Sequence, residues 1–246
     1  MPILRGSHLS WIFEESIFMQ KILVINSKGG CGKTTLATNI ASYFASHELS
    51  TATLDFDPQG SSTHWLKLRP ESKPAIYGSH VADKRNMTGK TRSFLMSVPA
   101  ETERVIFDAP ARVSELELKE MMLQVDIIIV PVLPSSIDTH AVTRFIEELI
   151  ITGKVREKGI GVGIVANRAR TNTLTYRSLE RFLKSLELPF ITTLRDSQNY
   201  VNAAERGIGI SEMWDKRTQN DKEQWKPLMR WLDNAHAIQG MQQTAR

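Results

Sequence analysis

The residues best suited to chemistry form one glycine-rich run, SKGGCGKTT, from Ser27 to Thr35. The run follows an apolar stretch at 22–25 and leads into a helical pattern that begins near Thr34. A strand, a glycine turn and a helix start are the setting that a phosphate-binding loop requires. The glycines let backbone N–H groups approach phosphate oxygens, and the helix N-terminus adds its positive dipole end. In such a loop Lys33 contacts the β- and γ-phosphates, and the Thr34 hydroxyl binds Mg²⁺.

A second lysine distinguishes this loop from the general pattern G-x-x-x-x-G-K-[ST]. The first glycine of that pattern would fall on Ser27, whereas here Lys28 stands directly before Gly29 and Gly30. The general pattern does not account for an additional cation five residues before Lys33, so Lys28 needs an explanation of its own.

Acidic residues follow two further apolar runs. Asp55 ends one run and Asp57 follows it, while Asp108 comes after three apolar residues in the typical position of a Walker B aspartate, which holds Mg²⁺ or its water. Ligands bind at the carboxyl ends of the strands in such sheets, so we expect these carboxylates near the phosphate loop. A single aspartate at a strand end is more often a turn former, but the ordered set behind a phosphate loop is a stronger signal.

The elements that must position these residues alternate between strands and helices. Together they predict an α/β fold with a doubly wound, mainly parallel sheet flanked by helices. The predicted strands are 21–26, 51–55, 104–108, 126–131, 160–166 and 189–193. The predicted helices lie near 34–47, 112–124, 136–152, 174–186 and 221–235. The stretch 60–103 is interpreted as two short helices and an irregular turn.

Composition and length favour one domain without a membrane span. The 246 residues are 41% hydrophobic, and no segment approaches the ~18–20 apolar residues that a spanning helix needs. The only cysteine, Cys31, excludes an intrachain disulfide framework and favours a reducing compartment. We predict a single domain over 19–235 and a polar tail over 236–246. Residues 1–18 form an N-terminal extension, either a short packing or membrane-touching helix or a stretch upstream of a true start at Met19.

Three motifs resemble those of the ParA/MinD family of ATPases. The run KGGCGKTT from Lys28 is similar to the family's deviant Walker A motif, the run DFDPQG from Asp55 to its switch I, and the run DAP from Asp108 to its switch II. The similarity extends from Met19 to about Asn234. It implies a P-loop fold, the cofactors ATP and Mg²⁺, and hydrolysis to ADP and phosphate.

The resemblance also implies individual roles. Lys28 would reach across a dimer to the partner's nucleotide, Lys33 would bind phosphate within its own chain, and Asp57 would orient the attacking water. These three are the predicted catalytic residues. The predicted metal-binding residues are Thr34, Asp55 and Asp108. The predicted nucleotide-binding residues are Lys28, Gly29, Gly30, Cys31, Gly32, Lys33, Thr34, Thr35, Asn167 (an adenine contact) and Arg168.

Charge favours the DNA-binding branch of this family to a modest degree. From 154 to 230 there are fifteen Lys/Arg and nine Asp/Glu, a net charge of +6, against +4 for the whole chain. Three basic residues share one stripe of the helix near 174–186. That stripe could contact phosphates without distinguishing bases, or it could be an ordinary solvated face. The candidate DNA-binding residues are Arg177, Arg181, Lys184, Arg195 and Arg206.

Other branches of the family fit less well. The nitrogenase iron protein needs two cysteines per subunit for a shared cluster, and this chain has one. A MinD-like membrane-cycling regulator remains an alternative if residues 1–18 act as an anchor, although stable membrane association is not expected. A nucleotide switch that binds without hydrolysing is a second alternative. Eighteen residues before the loop are too few for a helix-turn-helix, so operator-specific repression is not expected.

The combined expectation is a cytoplasmic, nucleoid-associated ParA-like ATPase. ATP would drive a homodimer that binds DNA non-specifically. A cargo-associated activator protein would stimulate slow hydrolysis. The cargo would be a plasmid, a chromosome, a chemoreceptor cluster or a carboxysome.

Overall fold

The fold is built on one sheet of seven parallel strands in the order β3-β2-β4-β1-β5-β6-β7. The computed structural model describes residues 19–81, 98–134, 136–153, 155–186 and 188–244. The strands are β1 (Gln20–Val24), β2 (Thr51–Asp55), β3 (Tyr77–His80), β4 (Arg104–Asp108), β5 (Ile127–Val132), β6 (Gly161–Ala169) and β7 (Phe190–Arg195). The predicted doubly wound α/β fold is confirmed.

The helices are α1 (Lys33–Ser46), α2 (Ser61–Leu68), α3 (Glu115–Met122), α4 (Ser136–Gly153), α5 (Val155–Lys158), α6 (Leu174–Ser185), α7 (Gln198–Ala204) and α8 (Gln219–Thr244). Two short 3-10 turns, Ile210–Glu212 and Lys216–Thr218, join α7 to α8. Helix α8 contains Pro227 and continues beyond residue 235, so the predicted polar tail has a helical backbone as far as Thr244.

Apolar side chains on both faces of the sheet explain why its central strands are continuous hydrophobic runs. In β1, Leu23 lies in the core on one face, whereas Ile22 and Val24 lie in the core on the other. This is the period-2 alternation of a strand, and because both faces are covered both sets are apolar. On the second face, residues of α1 and α8 cover the strands, including Phe44 and Trp225.

The last helix, α8, packs against the sheet through a buried apolar stripe, and Trp231 lies beside that stripe. Trp225, Leu228, Met229 and Leu232 are all buried. The ring of Trp231 packs beside Gly163 of β6, where an added Cβ would lie 3.1 Å from it. A glycine at this position therefore makes room for the indole.

The prediction for 60–103 was partly wrong. In the described part of this stretch, helix α2 agrees with the prediction, and an edge strand of the sheet, β3, lies where no strand was predicted. The strand YGSH has no apolar run and is half-exposed, since β2 is its one partner among the described strands. Residues 82–97 lie outside the described residues, as do residues 1–18 and the interpretations placed on them. Within the described ranges, no helix is both long and apolar enough to cross a bilayer.

Candidate functional site

The glycine-rich loop joins β1 to α1 at the carboxyl edge of the sheet. Gly32 precedes the helix with φ +93°, and Gly30 has φ +73°, so both occupy the left-handed region that glycine tolerates best. No side chain in the described part of the chain caps α1, and its first turn contains no acidic residue. The first N–H groups of α1 therefore point to the loop with their positive dipole end available to an anion.

Asn167 supports this loop from behind. The residue is buried at the end of β6, and its Nδ2 donates to the carbonyl of Cys31 at 2.8 Å. A Cβ at Gly32 would lie 2.1 Å from the same nitrogen, so only glycine fits there. The predicted adenine contact of Asn167 stays a prediction, and the partner observed for its amide is the loop backbone.

The two lysines of the loop have different surroundings. Lys33 is buried, and its Nζ donates to the carbonyl of Lys28 at 3.1 Å. The backbone N–H of Lys28 donates to Asn26, which itself donates to the Pro131 carbonyl on β5 at 2.7 Å. The loop is thus fixed to the central strands at its first residues, while the Lys28 side chain stays half-exposed.

Cys31 is a structural residue of the loop. Its Sγ donates to the Lys28 carbonyl at 3.2 Å, and the side chain is fully buried. Burial raises the pKa of this thiol above its ordinary value, with the positive charge of Lys33 opposing the rise. A buried thiol with a raised pKa is a poor nucleophile, so the cysteine provides packing at this position.

Asp108 presents a buried carboxylate without a hydrogen-bond partner. It ends β4 in register with Asp55 of β2, and neither of its oxygens has a partner among the described residues. Burial raises the pKa of Asp108 to about 7, and the charge of Asp55 adds to the rise. The nearby hydroxyls of Thr34 and Ser62 and the charge of Lys33 oppose it, although neither hydroxyl reaches hydrogen-bonding geometry.

The fit of a divalent cation can be judged from these groups. An orphaned carboxylate close to a threonine hydroxyl is the oxygen set that Mg²⁺ takes in P-loop proteins, so Asp108 and Thr34 fit the ion. Asp55 differs, because its oxygens accept the backbone N–H groups of Asp57 at 3.1 Å and Thr63 at 2.8 Å. It caps α2 in this structure, and the predicted metal role of Asp55 stays a prediction.

Asp57 lies in the turn between β2 and α2. Its Oδ1 accepts the N–H of Gln59 at 2.9 Å, and its side chain is half-exposed. Its backbone carbonyl accepts the N–H of Gly60 at 2.9 Å and lies 3.0 Å from Nε2 of His80. The turn therefore presents a carboxylate at the same sheet edge as the loop and Asp108.

A cavity of about 610 Å³ adjoins the loop on the side of β6 and α7. The residues that line it include five of the predicted nucleotide-binding residues, Gly30, Gly32, Thr35, Asn167 and Arg168. Its far wall is the segment 196–205, which was not among the predicted site residues because α7, QNYVNAA, lacks an apolar stripe. The segment follows directly after β7, and the rule that ligands bind beyond strand ends could have indicated it.

The candidate DNA-binding residues do not share one environment. Arg177, Arg181 and Lys184 are exposed on α6, opposite the buried stripe of Tyr176, Leu179 and Leu183, so the predicted amphipathic geometry is confirmed. Lys184 also pairs with Glu180 at 2.9 Å.

The other two candidates lie elsewhere. Arg195 forms a salt bridge to the fully buried Asp221 at 2.5 Å, so it joins β7 to α8. Arg206 is exposed beside a groove of about 540 Å³ that also contains Trp214.

Comparison with known proteins agrees with this arrangement. The family model described as the CobQ/CobB/MinD/ParA nucleotide binding domain matches residues 22–210. The maintenance of carboxysome distribution protein A of Halothiobacillus neapolitanus is 28% identical over 197 residues, which cover 78% of this chain and 87% of the relative.

Two solved structures share the fold. A variant of Cyanothece McdA in complex with ATP has a TM-score of 0.65 and 14% identity, covering 85% of this chain and 96% of that one. The septum site-determining protein MinD of Pyrococcus horikoshii, complexed with Mg-ADP, has a TM-score of 0.67 and 13% identity, covering 91% and 98%. The chain therefore belongs to the CobQ/CobB/MinD/ParA nucleotide-binding domain family, as a ParA/MinD-type ATPase.

Proposed function

We propose that this chain is a slow ATPase that dimerises on ATP, binds nucleoid DNA without sequence preference and positions a large intracellular cargo. The observation that carries the proposal is the pair of lysines in one loop. Lys33 is buried within it, whereas Lys28 stands five residues earlier with a half-exposed side chain. A second copy of the chain is the partner that would use Lys28.

The hydrolytic site would assemble from residues of three strand ends. Lys33 and the N-terminus of α1 bind the phosphates, and Thr34 and Asp108 would hold Mg²⁺. The bound metal supplies charge neutralisation of the transferring phosphoryl group. Asp57 orients water toward the γ-phosphate. The transition state spreads negative charge over three oxygens, so positioned cations are the main source of rate enhancement.

In the proposed dimer, Lys28 links nucleotide binding to dimerisation. A lysine donated by the second copy adds a positive charge to the first copy's nucleotide, in the manner of an arginine finger. Nucleotide binding and dimerisation then become one linked equilibrium, since each state is favoured by the other. Hydrolysis removes the γ-phosphate and releases the copies.

The surface proposed for DNA is the exposed stripe of α6. Its arginines, Arg177 and Arg181, have no acidic partner among the hydrogen bonds and salt bridges described, whereas Lys184 is half neutralised by Glu180. Arg206 is exposed but lies at a different groove. Arg195 has a structural role through Asp221, so we assign the phosphate contacts to α6 first.

The cargo is proposed from the relatives. The Halothiobacillus protein is named for carboxysome distribution, which favours a large protein assembly such as a carboxysome as the cargo. A plasmid, a chromosome or a chemoreceptor cluster would use the same ATPase cycle. In each case a cargo-associated activator protein stimulates turnover, and the ATPase works in the cytoplasm on the nucleoid.

Turnover and oligomeric state test the proposal together. The full chain with Mg²⁺ and ATP should release phosphate slowly and should have the molar mass of a dimer by light scattering. With ADP it should have the mass of a monomer. Asp57→Ala should keep the ATP-dependent dimer and lose turnover. A chain that stays monomeric with ATP, or an Asp57→Ala variant with full turnover, would remove these assignments.

A MinD-like membrane cycle is the second candidate, favoured by the apolar residues Trp11, Ile12 and Phe13 ahead of the domain. Sedimentation with anionic liposomes, with and without residues 1–18, separates the two. ATP-dependent binding by the full chain alone would establish the membrane cycle in place of the nucleoid.

A further inference from the structure

The edge strand β3 ends beside the turn that carries Asp57. His80, its last residue, is in register with Asp55, and the next N–H, that of Val81, donates to the Asp55 carbonyl at 2.8 Å. Among the described residues, β2 is the strand that pairs with β3, which is the edge strand of the sheet. The His80 side chain faces the β2–α2 turn.

The imidazole of His80 contacts this turn at two points. Its Nε2 lies 3.0 Å from the carbonyl of Asp57, and because a carbonyl only accepts, Nε2 carries the proton in this contact. The ring also lies over Gly60, where an added Cβ would be 3.4 Å from Cε1. Gly60 has φ +63°, so the turn and the ring both favour glycine at that position.

The same carbonyl accepts the N–H of Gly60 at 2.9 Å, which closes the turn. The Asp57 carbonyl thus has one bond from inside the turn and one from β3. Asp55 holds the following helix through Thr63 at 2.8 Å. Among the described hydrogen bonds of this turn, that of His80 comes from a side chain outside the β2–α2 segment.

We propose that His80 is a positioning residue for ATP hydrolysis, which keeps the 57–60 turn in the geometry where Asp57 meets the attacking water. The proposal rests on the proposed function of Asp57. In the proposed function, the glycine-rich loop after β1 binds the phosphates and Asn167 of β6 is the predicted adenine contact. His80 is in neither element, so we expect it to act on turnover and to leave nucleotide binding unchanged.

The size of the effect follows from one hydrogen bond. Loss of a single bond of this kind shifts a local equilibrium by about fivefold, so kcat should fall by about that factor without His80. KM for ATP and the dissociation constant of a fluorescent ATP analogue should stay within about twofold, because neither depends on the turn.

Three variants of the full chain separate positioning from packing. His80→Phe keeps a flat ring and removes the donor, while His80→Gln can return an N–H near the position of Nε2. His64→Phe is the matched control, because His64 is exposed on α2 of the same segment. We expect kcat to fall in His80→Phe, to recover largely in His80→Gln and to stay unchanged in His64→Phe.

Hydrogen exchange of the nucleotide-free protein gives a readout that does not need turnover. The peptide containing Gln59 and Gly60 should exchange about fivefold faster in His80→Phe and at the parental rate in His80→Gln. If the parent itself lacks turnover, the ATPase proposal fails while this exchange still tests His80. Equal exchange and equal kcat in parent and His80→Phe would overturn the proposal. An equal fall of kcat in His80→Phe and His80→Gln would also contradict the proposal, because it would show that His80 acts through packing and not through its hydrogen bond.

Discussion

Lys33 and Lys28 are joined by a hydrogen bond of 3.1 Å, from the side chain of the first to the backbone carbonyl of the second. The two lysines therefore contribute different groups to the structure of the loop. Lys33 shapes the loop with its side chain, whereas Lys28 takes part in this contact through its backbone and has a half-exposed side chain. Replacing Lys28 by alanine therefore leaves the carbonyl and the loop geometry in place.

Gly32 is the least replaceable position of the loop. Gly32→Ala puts a Cβ 2.1 Å from Asn167 Nδ2 at a φ of +93°, so it should lower the free energy of unfolding by at least about 2 kcal/mol and abolish nucleotide binding. Gly29→Ala is the control, because its Cβ would meet only Ala111 at an ordinary 3.9 Å. Urea titration without nucleotide should show a change within about 0.5 kcal/mol for the control. Equal destabilisation by both variants would contradict the close contact.

Asp108 should make the nucleotide-free protein less stable as pH rises. Its pKa is about 7 in the folded chain and about 3.9 when unfolded, so between those values only the folded state holds the proton. The free energy of unfolding should therefore fall across pH 4 to 7 by up to roughly 3–4 kcal/mol from this group.

Asp108→Asn should remove that dependence and be more stable than the parent at pH 8 without Mg²⁺. Urea titrations at several pH values measure how the free energy of unfolding changes with pH in the parent and in Asp108→Asn. Exposed Glu71 provides a control through Glu71→Gln, for which the free energy of unfolding should depend on pH as it does in the parent. Parallel slopes for the parent and Asp108→Asn would rule out this burial effect.

A buried ion pair ties α2 to the turn that follows α7. Arg69 and Glu212 have side chains only 5% and 2% exposed, and their closest atoms are 2.7 Å apart. Arg69→Met leaves the Glu212 carboxylate buried without its partner, which should cost about 3 kcal/mol of stability. Lys119→Met breaks the exposed Lys119–Glu115 pair and should leave the unfolding midpoint unchanged. A stable Arg69→Met variant would mean that Ser46 and Gly209, which also donate to Glu212, suffice.

The α6 stripe makes a quantitative prediction for DNA. The double change Arg177→Glu and Arg181→Glu should weaken ATP-dependent binding to non-specific duplex at least about tenfold, and should lower the salt dependence by about two phosphate contacts. Turnover without DNA should be unchanged, since α6 is remote from the Asp57 turn. Lys119→Glu on α3 is the control for a charge reversal on another surface, and it should leave DNA affinity unchanged. Unaltered DNA affinity in the double variant would move the interface to another surface.

The central strands could be predicted because each is an apolar run covered on both faces. β5, with the sequence IIIVPV, is buried throughout, and such a run has one interpretation in an α/β pattern. β3 could not be predicted in this way. Its position depends on backbone pairing with β2 and on the contact of His80, neither of which leaves a pattern in YGSH.

The parts of the site that consist of consecutive residues could be predicted, whereas the parts formed by residues far apart in the sequence could not. The roles of the glycine-rich loop and of Asp108 could be predicted because each belongs to a motif of consecutive residues. The bond from Asn167 to Cys31 joins residues 136 positions apart, and the cavity wall at 196–205 arises from the return of the chain after β7. The capping of α2 by Asp55 lies between these cases, since strand-end aspartates commonly accept nearby N–H groups.

The most direct test of the central claim mixes two inactive variants, Lys28→Ala and Asp57→Ala. In a mixed dimer, the Lys28→Ala copy keeps its own Asp57 and receives Lys28 from its partner, so one complete site forms. ATP turnover of an equimolar mixture should therefore recover to about a quarter of the parental rate, since half of the dimers are mixed and each has one working site. A mixture as inactive as its components would show that Lys28 acts within its own chain, and the dimer-completed site would be contradicted.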